Sequence, residues 1–143
     1  MRLVDCFKKR LLRRGKPDIL KSQRALEIAG STLRRSEKLF ASEFYDEVIV
    51  AAYTTMFHAA RALLLRDGIF ERSHLCVVEY LKRNYLKAGM LNQSHIHWFD
   101  TYRIERHETL YGLERSETPK LEAGQAIKKA KEFIGVVEKI LTK

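Results

Sequence analysis

Between Val48 and Leu65 the chain is apolar on almost every side of a helix, and this stretch restricts what can fold around it. Small residues Ala51, Ala52, Ala59, Ala60 and Ala62 are interspersed with Tyr53, Met56, Phe57, Leu63 and Leu64. A helix without a polar face has to lie in the middle of an assembly. In a chain of 143 residues, that predicts a helix over about 45–66 at the centre of a bundle. Part of its surface should remain for a second subunit, so a homodimer is expected.

Around this helix the sequence reads as further helices separated by single breaks. Asp18 suits the N-cap of a long first helix, with Leu26, Ala29, Leu33 and Phe40 on one face. Gly68 ends the central helix. A third covers about 73–87 with Leu75, Val78, Leu81 and Tyr85 inward, and Gly89 closes it. A fourth covers about 94–111 and stops at Gly112. The last opens at Thr118-Pro119, read as N-cap and first helical residue, and carries Ala126, Ala130, Phe133, Val137, Ile140 and Leu141 inward. Strand-like alternation occurs nowhere. The expected fold is all-α, an up-and-down antiparallel bundle of about five helices.

The net charge of +9 is unevenly placed. Residues 1–16 hold seven bases (Arg2, Lys8, Lys9, Arg10, Arg13, Arg14, Lys16) against Asp5 alone. The rest of the chain is nearly balanced, so high basicity by itself does not assign nucleic-acid binding to the domain. The division expected is a basic arm over 1–16 and a helical domain over 17–143. Leu3, Phe7 and Leu11 recur every four residues in the arm. A solvated, frayed tail is the main expectation for so short a helix. The alternatives are an arm that contacts phosphate through Arg10, Arg13 and Arg14, or one that rests on a membrane surface. On either main reading the arm is dispensable for folding.

No run of about 18 apolar residues occurs, and the N-terminus lacks the apolar core of a signal peptide. A cytoplasmic protein without membrane attachment is expected. Cys6 and Cys76 belong to no Cys-x-x-Cys pair, and reduced thiols of minor structural weight fit them better than a disulfide or a zinc site.

The fourth helix carries the candidate chemistry. At 100° per residue Phe99, Arg103, Arg106 and Leu110 share a face, flanked by Tyr102 and Leu113. Two guanidinium groups on a core-facing stripe need either acidic partners or a water-filled cleft. Glu105, Glu108, or an acid on another helix such as Glu43, Asp46 or Glu47 could pair them, and the cleft is the alternative. His107 lies one turn beyond Arg103. His95 and His97 point about 200° apart on a helix and cannot share an ion, so no metal and no cofactor is expected. His58 reads as a hydrogen-bonded core or interface histidine, and His74, after Ser73, as part of a helix cap.

The run from Ser42 to Gly68 (Ser-Glu-Phe-Tyr-Asp-Glu-Val-Ile-Val-Ala-Ala-Tyr-Thr-Thr-Met-Phe-His-Ala-Ala-Arg-Ala-Leu-Leu-Leu-Arg-Asp-Gly) resembles the long second helix of HEPN-domain proteins. Arg72-Ser73-His74 and Ala130-Lys131-Glu132-Phe133-Ile134 resemble the same family, and the likeness covers about 18–143. It is nearest to the small stand-alone branch, often encoded beside a minimal nucleotidyltransferase. The resemblance implies a toxin–antitoxin or defence component that forms a homodimer and binds RNA or nucleotide in the dimer cleft, with a nucleotidyltransferase as partner protein. Active relatives carry an arginine, four to six residues, then a histidine, for metal-independent RNA cleavage.

This chain departs from that motif. Only three residues separate Arg103 from His107, and Tyr111 stands five positions after Arg106. The resemblance therefore assigns Arg103, Arg106 and Tyr111 to RNA or nucleotide binding. Arg106 and His107 would be the catalytic pair if cleavage survives. A catalytically silent dimeric interaction module is the alternative, and non-specific binding by the arm alone is a third reading.

Overall fold

The computed structural model describes residues 1–114 and 116–143. Its elements are α1 (Leu3–Lys8), β1 (Leu12–Arg14), α2 (Ile19–Ala41), α3 (Tyr45–Asp67), β2 (Ile69–Glu71), α4 (His74–Leu81) running into a π-helical turn (Lys82–Leu86), α5 (Gln93–Tyr111) and α6 (Lys120–Leu141). The all-α bundle expected from the sequence is observed.

The central helix is α3, and it packs against α2, α5 and α6. Its length and hydropathy would suit a membrane span, yet 72% of that apolar window is buried inside the fold. Met56, Leu63 and Leu64 are fully enclosed, as are Ala52, Ala59 and Ala60. The domain thus covers most of this helix by itself, leaving Val50 and Phe57 partly exposed among its apolar residues. Close packing explains the economy. The α2 seam against the core is made of small residues, Ser22, Ala25, Ala29, Thr32 and Ser36, which lets the helix axes approach. Ser22 donates its hydroxyl to the Ala62 carbonyl at 2.6 Å. Leu26, Leu33 and Phe40 flank that seam and are only partly buried.

Helix ends follow the capping chemistry. Asp18 accepts from the Lys21 amide at 3.0 Å and Ser73 from the Cys76 amide at 3.2 Å. Gly68 closes α3 at φ +78°, where a Cβ would meet the Gly15 carbonyl oxygen at 2.5 Å. At α6 the cap falls one residue later than the sequence suggests. Pro119 is the N-cap, while Thr118 gives both its amide (3.0 Å) and its hydroxyl (2.7 Å) to the Asp46 carboxylate. That bond ties the α6 approach to the first turn of α3.

The arm departs from the sequence expectation. Residues 1–16 are not a solvated tail. Cys6 and Leu12 are buried in the main core, and Leu3, Phe7 and Leu11 pack against it. β1 pairs antiparallel with β2, Leu12 opposite Glu71 and Arg14 opposite Ile69. Neither strand shows alternation that could be recognised, because each is three residues long. Arg61 of α3 holds Glu71 by an ion pair at 2.7 Å. Cys6 and Cys76 form a disulfide with Cα atoms 5.8 Å apart, which corrects the reading of two reduced, unconnected thiols. Seventy residues of separation concealed a pairing that only the fold of α1 onto α4 creates.

Candidate anion-binding site at the α3–α4–α5 junction

Where α3, the start of α4 and the middle of α5 meet, Tyr53, Phe57, His74, Phe99, Arg103 and Arg106 come together. Tyr53 and Phe99 are buried, and their rings stack with centroids 5.5 Å apart. The Ser73 cap sets His74 as the first residue of α4. The Tyr53 hydroxyl and His74 Nδ1 lie 2.7 Å apart, and the Phe57 ring stacks on the imidazole at 4.2 Å and 11°. The imidazole is therefore held in position and orientation by two neighbours on α3.

The guanidinium groups differ in their surroundings. Arg103 is satisfied by Asp100 one turn earlier, with Nε and one terminal nitrogen each 2.9 Å from the same carboxylate oxygen. Arg106 is half-buried, with its guanidinium carbon 5.9 Å from the Tyr53 ring centre. Among the described residues Arg106 has no acidic partner, whereas Arg103 has a local pair with Asp100. A cation over an aromatic face keeps its charge available to an incoming anion.

These charges act on the titrating groups. Burial first, then the Arg106 and Arg103 charges, hold the His74 pKa below the ordinary histidine value. Burial pushes the Tyr53 phenol well above its ordinary value, against the opposing pull of Arg103 and Arg106. At neutral pH the site thus presents a neutral imidazole, a protonated phenol and two permanent cations. An arriving phosphate would offset the cationic field and raise the His74 pKa towards the range where it can exchange protons.

A test follows from the sign. Arg106→Ala removes a charge that disfavours imidazolium, so the His74 pKa is expected to rise, read from its ring proton shifts by NMR. No change would mean that Arg106 lies too far away to matter. His58 is also lowered, by burial and Arg61. Its Nδ1 is buried with no hydrogen-bond partner among the described residues, unlike the satisfied histidine read from the sequence. With both imidazoles depressed, the unfolded chain binds more protons than the folded one once the pH falls below the ordinary histidine range, about 6.5. Stability from these groups is complete above that pH and is lost on acidification.

The remaining sequence candidates are placed elsewhere. His107 is exposed and makes ring contact with Tyr111, centroids 5.1 Å apart. Tyr111 is 65% exposed, and Leu110 (46%) and Leu113 (99%) also face outward, so the expected inward stripe ends near Arg106. Arg10 closes α1 at φ 57°, Arg13 is exposed opposite Phe70 on β2, and the Arg14 guanidinium covers the Phe7 ring at 4.2 Å. His95 accepts from the Asn92 amide at Nδ1 and so has Nε2 to donate to Glu132, at 3.2 Å. Sequence reasoning missed His74 and Tyr53. The Ser73-His74 cap was visible, but nothing in local spacing says that α4 starts against Tyr53 and Arg106.

Two guanidinium groups and an oriented imidazole thus meet at one helix junction of an all-α domain. A family model described as HEPN domain matches residues 22–140, and the chain belongs to the HEPN family. It is 33% identical over 70 residues to "Putative toxin MJ0142" of Methanocaldococcus jannaschii, covering 49% of this chain and 48% of that protein. "Putative toxin MJ0605" of the same organism is 28% identical over 71 residues, 50% of this chain and 53% of the relative. The "UPF0332 protein PH1297" of Pyrococcus horikoshii is 25% identical over 99 residues, 69% and 70% of the two chains. This chain spans about half the length of the first two relatives.

Proposed function

We propose that this HEPN domain is a toxin-type component that binds RNA by its phosphodiester backbone at the Tyr53–His74–Arg106 junction. The observation that carries the reading is the half-buried Arg106, without an acidic partner among the described residues, near an imidazole whose pKa is lowered first by burial and then by that charge. A phosphate is the anion that uses both groups. Its oxygens take charge-assisted bonds from guanidinium, while the imidazole donates or accepts a proton near the ribose hydroxyl or leaving oxygen. The toxin names of two relatives support the biological setting. A nucleotidyltransferase partner is carried here only by the likeness to the stand-alone branch.

The test is RNA binding and cleavage, with EDTA present, by the wild type and by His74→Ala and His107→Ala variants. Metal-independent cleavage lost in His74→Ala and kept in His107→Ala supports the junction as the reacting site. The opposite pattern places chemistry at the exposed His107–Tyr111 pair.

The dimer belongs to the same proposal, with α5 contributing exposed apolar surface. Ile104, Leu110, Tyr111 and Leu113 expose large apolar side chains on the C-terminal half of α5 and just beyond. A second copy covering Leu110, one turn beyond Arg106, would enclose the Arg106 face from the open side. This also favours the alternative reading, a silent dimeric module in which the same residues form a structural polar network and the dimer is a docking platform. Light scattering at micromolar concentration is expected to give twice 16.7 kDa, and Leu110→Glu should halve that mass. A monomeric wild type would remove the dimer from the proposal.

A further inference from the structure

We infer that the cleft between α1 and the π-helical turn is a second RNA-contact site, which takes the sugar–phosphate backbone of a single strand. The inference rests on RNA being the ligand of the domain, and it concerns a surface that shares no lining residue with the Arg106 junction. The cleft is open, about 830 Å³ in volume, and Arg2, Arg14, Lys82, Arg83 and Lys87 border it over a floor that includes Phe7. The acid on this wall, Glu79, lies 3.5 Å from Lys82. Arg14, Arg83 and Lys87 have no acidic partner among the described residues.

Two features of the fold build this surface. The π turn bonds the Lys87 amide to the Lys82 carbonyl at 3.3 Å, the i→i+5 register that sets residues five apart over one another. Lys82, Arg83 and Asn84 are consequently exposed in succession, while Tyr85 turns inward to donate to Asp67 at 2.6 Å. Such turns often mark functional positions. On the opposite wall the Cys6–Cys76 disulfide holds α1 against α4 and the β1–β2 pairing fixes the end of the arm, so that Arg2 and Arg14 border the same cleft as the cations of the π turn. The basic arm is one wall of a cleft.

Single-stranded RNA suits this surface better than an acidic polypeptide. The Arg14 guanidinium sits 4.2 Å over the Phe7 ring, a layered platform on which a base can stack beside a phosphate-tracking rim. Glutamate side chains would use the rim and leave the platform idle. A membrane surface fits poorly, because Leu3 and Phe7 of α1 turn towards the core. α4 joins the two sites, with His74 at its start and Lys82 just past its end, roughly 12 Å apart along the helix. One strand could engage both.

The experiment is fluorescence anisotropy with a fluorescein-labelled oligouridylate over a series of salt concentrations. It compares the wild type, the triple variant Lys82→Gln/Arg83→Gln/Lys87→Gln, and Arg106→Ala. The three exposed cations can be neutralised without disturbing the core, which circular dichroism melts would verify. The triple variant is expected to bind at least tenfold more weakly and to lower the logarithmic salt slope by about 2, at roughly 0.7 per phosphate contact on a single strand. Unchanged affinity and slope in the triple variant, with Arg106→Ala defective, would overturn the cleft and leave the junction. A loss in the triple variant with Arg106→Ala unaffected would keep the cleft and overturn the junction. Displacement of labelled polyglutamate but not oligouridylate by the triple substitution would assign the cleft to an acidic protein and overturn the RNA inference.

Discussion

Deleting residues 1–16 is expected to abolish cooperative folding or to cost more than about 5 kcal/mol, a large part of a typical domain's stability. Three contributions are lost together. Leu12, 1% exposed, contributes about 1.5–3 kcal/mol as a buried leucine. The Cys6–Cys76 bridge closes a 70-residue separation, for which chain entropy gives about 4 kcal/mol. The β1–β2 pairing also goes, leaving Ile69 without its cover. Urea melts of the truncated chain measure the sum, and Cys6→Ser in the full chain isolates the bridge at about 2–4 kcal/mol. A truncated domain that melts within about 1 kcal/mol of the full chain would show that the arm merely rests on the bundle.

Arg106→Ala is expected to reduce RNA affinity by about 10–100-fold and to change stability by less than about 1 kcal/mol. The affinity figure follows from one charge-assisted bond of about 1.5–3 kcal/mol, at 1.4 kcal/mol per tenfold. The small stability cost follows from the surroundings. Arg106 is half-buried and leans on the Tyr53 ring, so its removal strands no acid among the described residues. A buried ion pair broken on one side would cost about 3–5 kcal/mol. A stability loss of that size, with unchanged RNA binding, would make Arg106 a strut of the bundle. Arg103→Ala is the useful contrast, since it frees Asp100 beside the same site and should weaken anion binding through repulsion as well.

Most of the helical layout could be read from the sequence because it rests on local signals. Asp18, Ser73 and Gly68 end or begin helices through bonds to residues within a few positions. The apolar run of α3 could only be a central helix, whatever its neighbours. Arg103 and Arg106 could be singled out because charges on a core-facing stripe demand an explanation.

Tertiary structure decided everything that depends on pairs distant in sequence. The Asp100–Arg103 pair is local, one turn along α5, but that no acid from another helix reaches Arg106 among the described residues is a matter of how the helices pack. His74 became a candidate only when α4 docked against Tyr53, 21 positions earlier. The arm looked like a tail because a six-residue helix and a three-residue strand are too weak to stand alone, whatever period the helix shows. Their stability comes from β2, from the core under Leu12 and from Cys76. Periodicity reports the face an element would bury, and only the assembled chain supplies the surface that buries it.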